Sequence, residues 1–188
     1  MSDRSALVLT ASDRAASGDR EDTSGAGVAE RLAGLGFEVE RSVVPDDRPA
    51  LEGALKAGAA RHPLVVTTGG TGLTPRDVTP QATLAVVDYE VPGLPEAMRA
   101  SGRRSTPMAD LSRSVAGVRG GSLIVNLPGS PKAALESLEA IVPLLDHALE
   151  TLAGPFDHAA RTVAASASRG AGDPAVDPRA PVAPDEHE

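Results

Sequence analysis

The chain alternates between short apolar runs and longer stretches in which apolar residues recur every three or four positions. Residues 6–10 (ALVLT), 64–66 (LVV) and 123–127 (LIVNL) are compact and rich in aliphatic and β-branched side chains. Such runs predict strands buried on both faces of a sheet. Residues 37–44 (FEVERSVV) alternate apolar and polar at first, which predicts a strand nearer a sheet edge. Val28, Leu32 and Leu35 predict a helix capped by Asp22 or Thr23 and ended by Gly34 and Gly36. Leu51 and Leu55 predict a second helix, with Asp47 before Arg48-Pro49 as its cap. Residues 79–87 and 91–102 predict two short helices. Leu135, Leu138, Val142, Leu145, Leu149 and Leu152 keep helical spacing, and Pro143 predicts two helices there, or one with a kink. Residues 115–118 form a weaker strand, and the tight Gly120-Gly121 link makes it antiparallel to 123–127. The whole predicts an α/β protein with a mixed sheet.

Residues 64–83, LVVTTGGTGLTPRDVTPQAT, organise the rest. A buried strand runs into Gly69, Gly70 and Gly72, then Arg76 and Asp77, then Thr79-Pro80, read as an N-cap with proline in the first helical turn. Glycines let a ligand approach the backbone, and Thr68 and Thr71 add hydroxyls. The end of a central strand with free amides suits an anion, here a phosphate with a metal ion beside it. It is neither the Rossmann fingerprint, since Pro75 stands where the third glycine would fall, nor a P-loop, since no Gly-Lys-Ser/Thr follows. A second strand-to-helix turn follows residue 127: Pro128, Gly129, Ser130 as N-cap, Pro131 at N1 and Lys132 in the first turn. A cation there opposes the helix dipole, which makes better sense beside a bound anion. The long polar loop 11–25, with Ser12, Asp13, Arg14, Asp22 and Ser24, ends on the same side of the sheet if its strand is parallel to the central one.

Composition narrows the chemistry. The 188 residues suffice for one α/β core. A formal net charge of −8 and only three aromatic residues, Phe37, Tyr89 and Phe156, disfavour a nucleic-acid surface or an anionic membrane surface. Attraction for an anionic ligand is therefore local: amides, a few cations or a divalent metal. Cysteine is absent, so thiolate sites and disulfides are excluded. The four histidines, His62, His147, His158 and His187, carry no ligand pattern. No run is long enough to span a bilayer, and the N-terminus lacks a signal-peptide pattern, so a cytoplasmic location is expected. Apolar patterning fades from Gly154. Residues 1–153 are expected to form the domain, and 154–188 a C-terminal extension ending in a disordered tail.

TTGGTGLTPRDVTP, together with ASDRAASG near the start and LPGSPKA further on, resembles the MogA/MoaB family of molybdenum-cofactor biosynthesis domains, similar also to the G domain of gephyrin-like proteins. The resemblance covers roughly residues 5–153. It implies a three-layer α/β/α sandwich around a mostly parallel sheet, assembled as a homotrimer or, in MoaB-type members, a hexamer. It implies a molybdopterin adenylyltransferase that uses ATP and Mg²⁺ and releases pyrophosphate, with a partner enzyme then inserting molybdate. The alternative is a non-catalytic molybdopterin-binding or scaffold protein. By motif, Asp77 and Asp46 match the family's two functional aspartates, so Asp46 is expected to be more than a neighbour of the helix cap, and the pair is expected to hold Mg²⁺ against the ATP phosphates. Gly69, Gly70, Thr71 and Gly72 would hold phosphates. Asn126, Pro128, Gly129, Ser130 and Lys132 would line the same pocket. Ser12, Asp13, Ser112 and Arg113 are candidates for pterin contacts, and Arg76 would pair with a carboxylate or touch phosphate. Gln81 departs from the acidic residue frequent at that position.

Overall fold

The computed structural model describes residues 4–154. The expected tail, with His158 and His187, lies outside the described residues. In chain order the elements are β1 (Ser5–Ala11), α1 (Asp13–Ala16), α2 (Thr23–Gly34), β2 (Glu38–Val44), α3 (Arg48–Ala59), β3 (Leu64–Thr68), α4 (Thr79–Leu84), β4 (Tyr89–Glu90), α5 (Gly93–Gly102), a 3-10 turn (Pro107–Leu111), β5 (Ala116–Arg119), β6 (Ser122–Leu127) and α6 (Pro131–Ala153).

The six strands form one sheet in the order β2-β1-β3-β6-β5-β4. The β2–β1, β1–β3 and β3–β6 pairs are parallel, while β5 is antiparallel to both its neighbours. Strand periodicity then sorts the core into two layers. Ala6, Val8, Leu64, Val66, Leu123 and Val125 pack with Val28 and Leu32 of α2 and Leu138, Ile141 and Leu145 of α6. The alternate residues Leu7, Leu9, Val65 and Ile124 pack with Leu51 and Leu55 of α3 and with Ala82 and Val86 at α4. Both faces are covered, which is why β1, β3 and β6 read as unbroken apolar runs. The expected three-layer sandwich is the fold.

Several details differ from the sequence reading. Thr79 is not the cap of α4. Val78 takes that place, and Pro80 follows in the first turn. The Thr79 amide donates to the Gly70 carbonyl at 3.2 Å, so this residue is held by the glycine turn. Helix α6 runs unbroken through Pro143. The proline sits on the exposed face, while Leu138, Ile141 and Leu145 anchor the helix on either side of it, and packing outweighs the lost backbone bond. Ser130 caps α6 as read, accepting from the Ala133 amide, and Asp22 and Asp47 cap α2 and α3.

From β1 the chain crosses to β2 on one side, and β3 lies on the other. The carboxyl ends of β1 and β3 thus flank a point where strand order reverses. That is where open α/β sheets bind ligands.

Candidate active site

Three loops meet at this switch point, and glycine is what lets them touch. Gly69 has φ +90°, and a Cβ there would lie 2.4 Å from the Ala11 carbonyl oxygen at the end of β1. Gly70 has φ +63°, and its Cβ would lie 2.3 Å from the Thr79 hydroxyl. Both positions therefore require glycine on conformation and on space. A Cβ on Gly129, after β6, would come 3.2 Å from the Gly69 Cα. The turns after β1, β3 and β6 thereby form one packed floor.

A cavity opens on each side of that floor. The larger, about 360 Å³, is lined by Gly70, Thr71, Gly72, Asp77, Ser112, Ser114, Pro128 and Gly129, and walled by α5, the 3-10 turn and α6. Pro95, Met98, Met108 and Leu111 give it an apolar wall, and Arg99 and Glu136 supply charge. The second, about 350 Å³, is lined by Thr10, Ser12, Arg20, Asp22, Ser24, Thr68, Gly69, Gly129 and Ser130. Gly129 borders both. Two long helices, α2 and α6, begin at the second cavity, and their N-termini favour negative charge there.

The two aspartates singled out by motif sit in opposite settings. Asp46 and Asp13 form a reciprocal pair: the Asp13 amide donates to Asp46 Oδ2 and the Asp46 amide to Asp13 Oδ1, each at 3.0 Å. Arg76 forms an ion pair with Asp13 Oδ2. Burial raises the Asp46 carboxyl above the usual range, and the like charges of Asp13 and Asp77 add to this despite the Asp13 amide. For Asp77, burial also pushes upward, but the Thr74 hydroxyl and amide, the Gly72 amide and nearby Arg113 outweigh it and hold the carboxyl below its ordinary value. Thr74 donates twice to Asp77 Oδ2, at 2.8 Å from its amide and 2.7 Å from its hydroxyl. The Arg76 hydrogen bond, then the Asp46 amide, lower Asp13.

The structure distributes the other candidates unequally. Ser12 caps α1 and lines the second cavity. Thr68 is buried beside it, its hydroxyl donating to Thr10 Oγ1 at 3.3 Å. Asn126 sits deeper than the residues that line a cavity. It is fully buried and lines neither cavity. Its amide donates to Thr67 Oγ1 and Thr83 Oγ1 at 3.0 and 2.9 Å and its carbonyl accepts from the Val115 amide, so it ties β3, α4 and the residue just ahead of β5 together. Lys132 lies at the other extreme. Its side chain is 81% exposed, 3.8 Å from Glu136, and lines neither cavity. Asp13, Asp46 and Arg113 also lie outside both linings: Asp13 and Asp46 brace each other, and Arg113 grips backbone. The sequence reading missed the wall formed by Met98, Arg99, Thr106 and Glu136. The only trace of it was Met98 at helical spacing from Leu94, which marks a buried face without saying what it faces.

Fold and site together define a doubly wound α/β domain with two cavities at its switch point. Residues 7–147 match the family described as a probable molybdopterin binding domain, and the chain belongs to that family. A molybdopterin adenylyltransferase of Helicobacter pylori is 42% identical over 154 residues, covering 79% of this chain and 88% of the relative. Among solved structures, the molybdopterin biosynthesis enzyme MoaB of Thermus thermophilus is 51% identical, with TM-score 0.76 over 82% of this chain and 99% of that one. The molybdopterin biosynthesis Mog protein of Mycobacterium ulcerans is 44% identical, with TM-score 0.75 over 79% and 99%.

Proposed function

We propose that this chain is a molybdopterin adenylyltransferase of molybdenum-cofactor biosynthesis, moving AMP from ATP to molybdopterin with release of pyrophosphate. The observation that carries this reading is the pair of near-equal cavities sharing one glycine floor, found in a chain 42% identical to enzymes of that name. Two substrates that become joined through phosphate need two chambers and one common phosphate site.

An oxygen of the molybdopterin phosphate attacks the α-phosphorus of ATP. The bond to the β-phosphate oxygen breaks, and pyrophosphate leaves with that electron pair. The nucleophile is already ionised near neutral pH, so the chain need not supply a base. Its work is positioning and charge stabilisation. Gly69, Gly70 and Thr71 offer backbone close to the transferring group. Ser130 and the start of α6 add a positive helix end. Gly72 stands beside Gly70 and Thr71 in the lining of the larger cavity.

Among the described residues no group of three or more His, Cys, Asp or Glu side chains is arranged for a metal. A pair of carboxylates suits Mg²⁺, which takes one or two carboxylates and completes its shell with water and substrate phosphate. Asp46 and Asp77 would hold it, with Asp46 Oδ1 outside the reciprocal pair with Asp13. When bound, the ion neutralises phosphate charge that an acidic protein would otherwise repel.

Further parts of the proposal are a domain spanning residues 1–153, a cytoplasmic setting and a partner enzyme that inserts molybdate into the product. A trimer, or a hexamer built from two trimers, completes it. Exposed Leu73, Leu84 and Tyr89, which lie outside both cavities, supply apolar surface for assembly. No helix among the described residues is long and apolar enough to cross a membrane.

The test is to mix protein, molybdopterin, ATP and Mg²⁺ and to follow pyrophosphate and adenylylated pterin together. Equimolar products that vanish with EDTA are expected. Pterin binding without either product would replace the enzyme by a binding protein.

A further inference from the structure

We infer that Arg113 is a positioning residue for Asp77: it clamps both ends of the loop that carries this carboxylate. Arg113 Nε donates to the Gly72 carbonyl at 2.6 Å, and Nη2 donates to the Asp77 carbonyl at 2.5 Å. The Arg113 amide donates to the Thr71 carbonyl at 3.0 Å. One residue thus holds three carbonyls across the segment from 71 to 77. That segment lies between β3 and α4 and belongs to no strand or helix. Inside it the Asp77 carboxylate turns back to Thr74 and Gly72. The loop is closed from within by Asp77 and from outside by the guanidinium.

The clamp is itself anchored. Arg99 Nη1 on α5 lies 3.4 Å from the carbonyls of Ser112 and Ser114, which flank Arg113, and the two serine hydroxyls bond each other at 2.8 Å. A continuous set of contacts therefore runs from α5, a wall of the larger cavity, through residues 112–114 to Asp77. A guanidinium suits this place because its planar fork can donate to two carbonyls at once, whereas an ammonium offers one point charge. Nε and Nη2 of Arg113, a residue expected among the pterin contacts, face backbone instead, and the residue lines neither cavity.

The kinetic test rests on the adenylyltransferase reading, and a second readout does not. Turnover and KM are measured for Arg113→Met, Arg113→Lys, Asp77→Asn and the Arg113→Met/Asp77→Asn pair. Amide hydrogen exchange is followed on the same proteins without ligand. Arg113→Met is expected to lower kcat about 10- to 100-fold, the cost of a slightly misplaced catalytic group, with KM for both substrates nearly unchanged. Arg113→Lys recovers part of the loss. The double variant is no slower than Asp77→Asn within about threefold, because the two residues act as one unit. Exchange rises in 70–78 and stays flat in β1, β3 and β6.

Unchanged kcat, a raised KM at unchanged kcat, or losses that multiply in the double variant would each overturn the inference. So would an exchange increase spread evenly through the core. Should Arg113→Met fail to fold, Arg113→Lys decides: local exchange in 70–78 supports the clamp and wild-type exchange there rejects it. If the wild type transfers no adenylyl group, the proposed function fails, while the exchange result still judges the clamp.

Discussion

The loop after β2 and the loop after β3 each carry one aspartate at the carboxyl end of a parallel strand, near enough for their charges to interact, yet they prepare it differently. Asp77 accepts two hydrogen bonds from Thr74, and the Gly72 backbone and the charge of Arg113 also favour its ionised form. Asp46 has one amide donor, two carboxylate neighbours and Arg76 as a partly offsetting cation, and burial makes its charge costly. The β3 loop is a finished acceptor before any ligand arrives. The β2 loop carries a charge the apoprotein resists, and a cation beside it would relieve it. Local strain at a binding site is an expected trade for function.

The largest effect should come from driving the loops apart. Gly69→Ala sets a Cβ against the Ala11 carbonyl and forces φ +90° on a residue with a side chain. It should cost about 1–3 kcal/mol for the backbone alone, seen as a clear drop in Tm, and abolish turnover. Gly120→Ala, at φ +55° but in open space, is the control and should lose less. Equal losses would mean that contact between the loops is unimportant.

The two aspartates should then move stability in opposite directions. Asp77→Asn replaces an acceptor by an amide facing N–H donors and should lower the ligand-free Tm by about 2–4 °C, equivalent to about 1 kcal/mol. Asp46→Asn removes a resisted charge and should raise Tm slightly at pH 7. The signs follow from linkage. The folded pKa of Asp77 is depressed, so its contribution is present above the ordinary carboxylate value and is lost as pH falls through the folded one. The folded pKa of Asp46 is raised, so its ionisation destabilises at neutral pH, and that penalty fades as pH falls through the raised value. Tm against pH for both variants checks this: the Asp46→Asn advantage should shrink on acidification.

Smaller effects test the supports. Asp13→Ala removes the acceptor for the Asp46 amide and should lower turnover a few-fold without altering exchange in 70–78. Arg76→Met breaks an exposed ion pair with Asp13 and should shift Tm hardly at all. A large loss from Arg76→Met would mean that Arg76 meets substrate phosphate.

Much of this was legible in the sequence, for identifiable reasons. Strands β1, β3 and β6 are buried on both faces, so their apolar runs stood out. Strand β4, helix α1 and the 3-10 turn were not legible because they bury no residue and leave no pattern. Gly69 and Gly70 announced the turn because nothing else fits there. Asn126 and Lys132 lay in a telling motif, but sequence cannot show that one side chain turns into the core and the other into solvent. Arg113 was visible as a cation near the site, yet only coordinates show that it faces carbonyls.

The most direct measurement is turnover and molybdopterin affinity side by side for Asp77→Asn. Turnover should fall about 100-fold or more, as when a pre-set electrostatic group is removed from an active site, while pterin affinity stays within a few-fold of the wild type. Unchanged turnover, or affinity lost in step with it, would contradict Asp77 as a group that serves the transfer step.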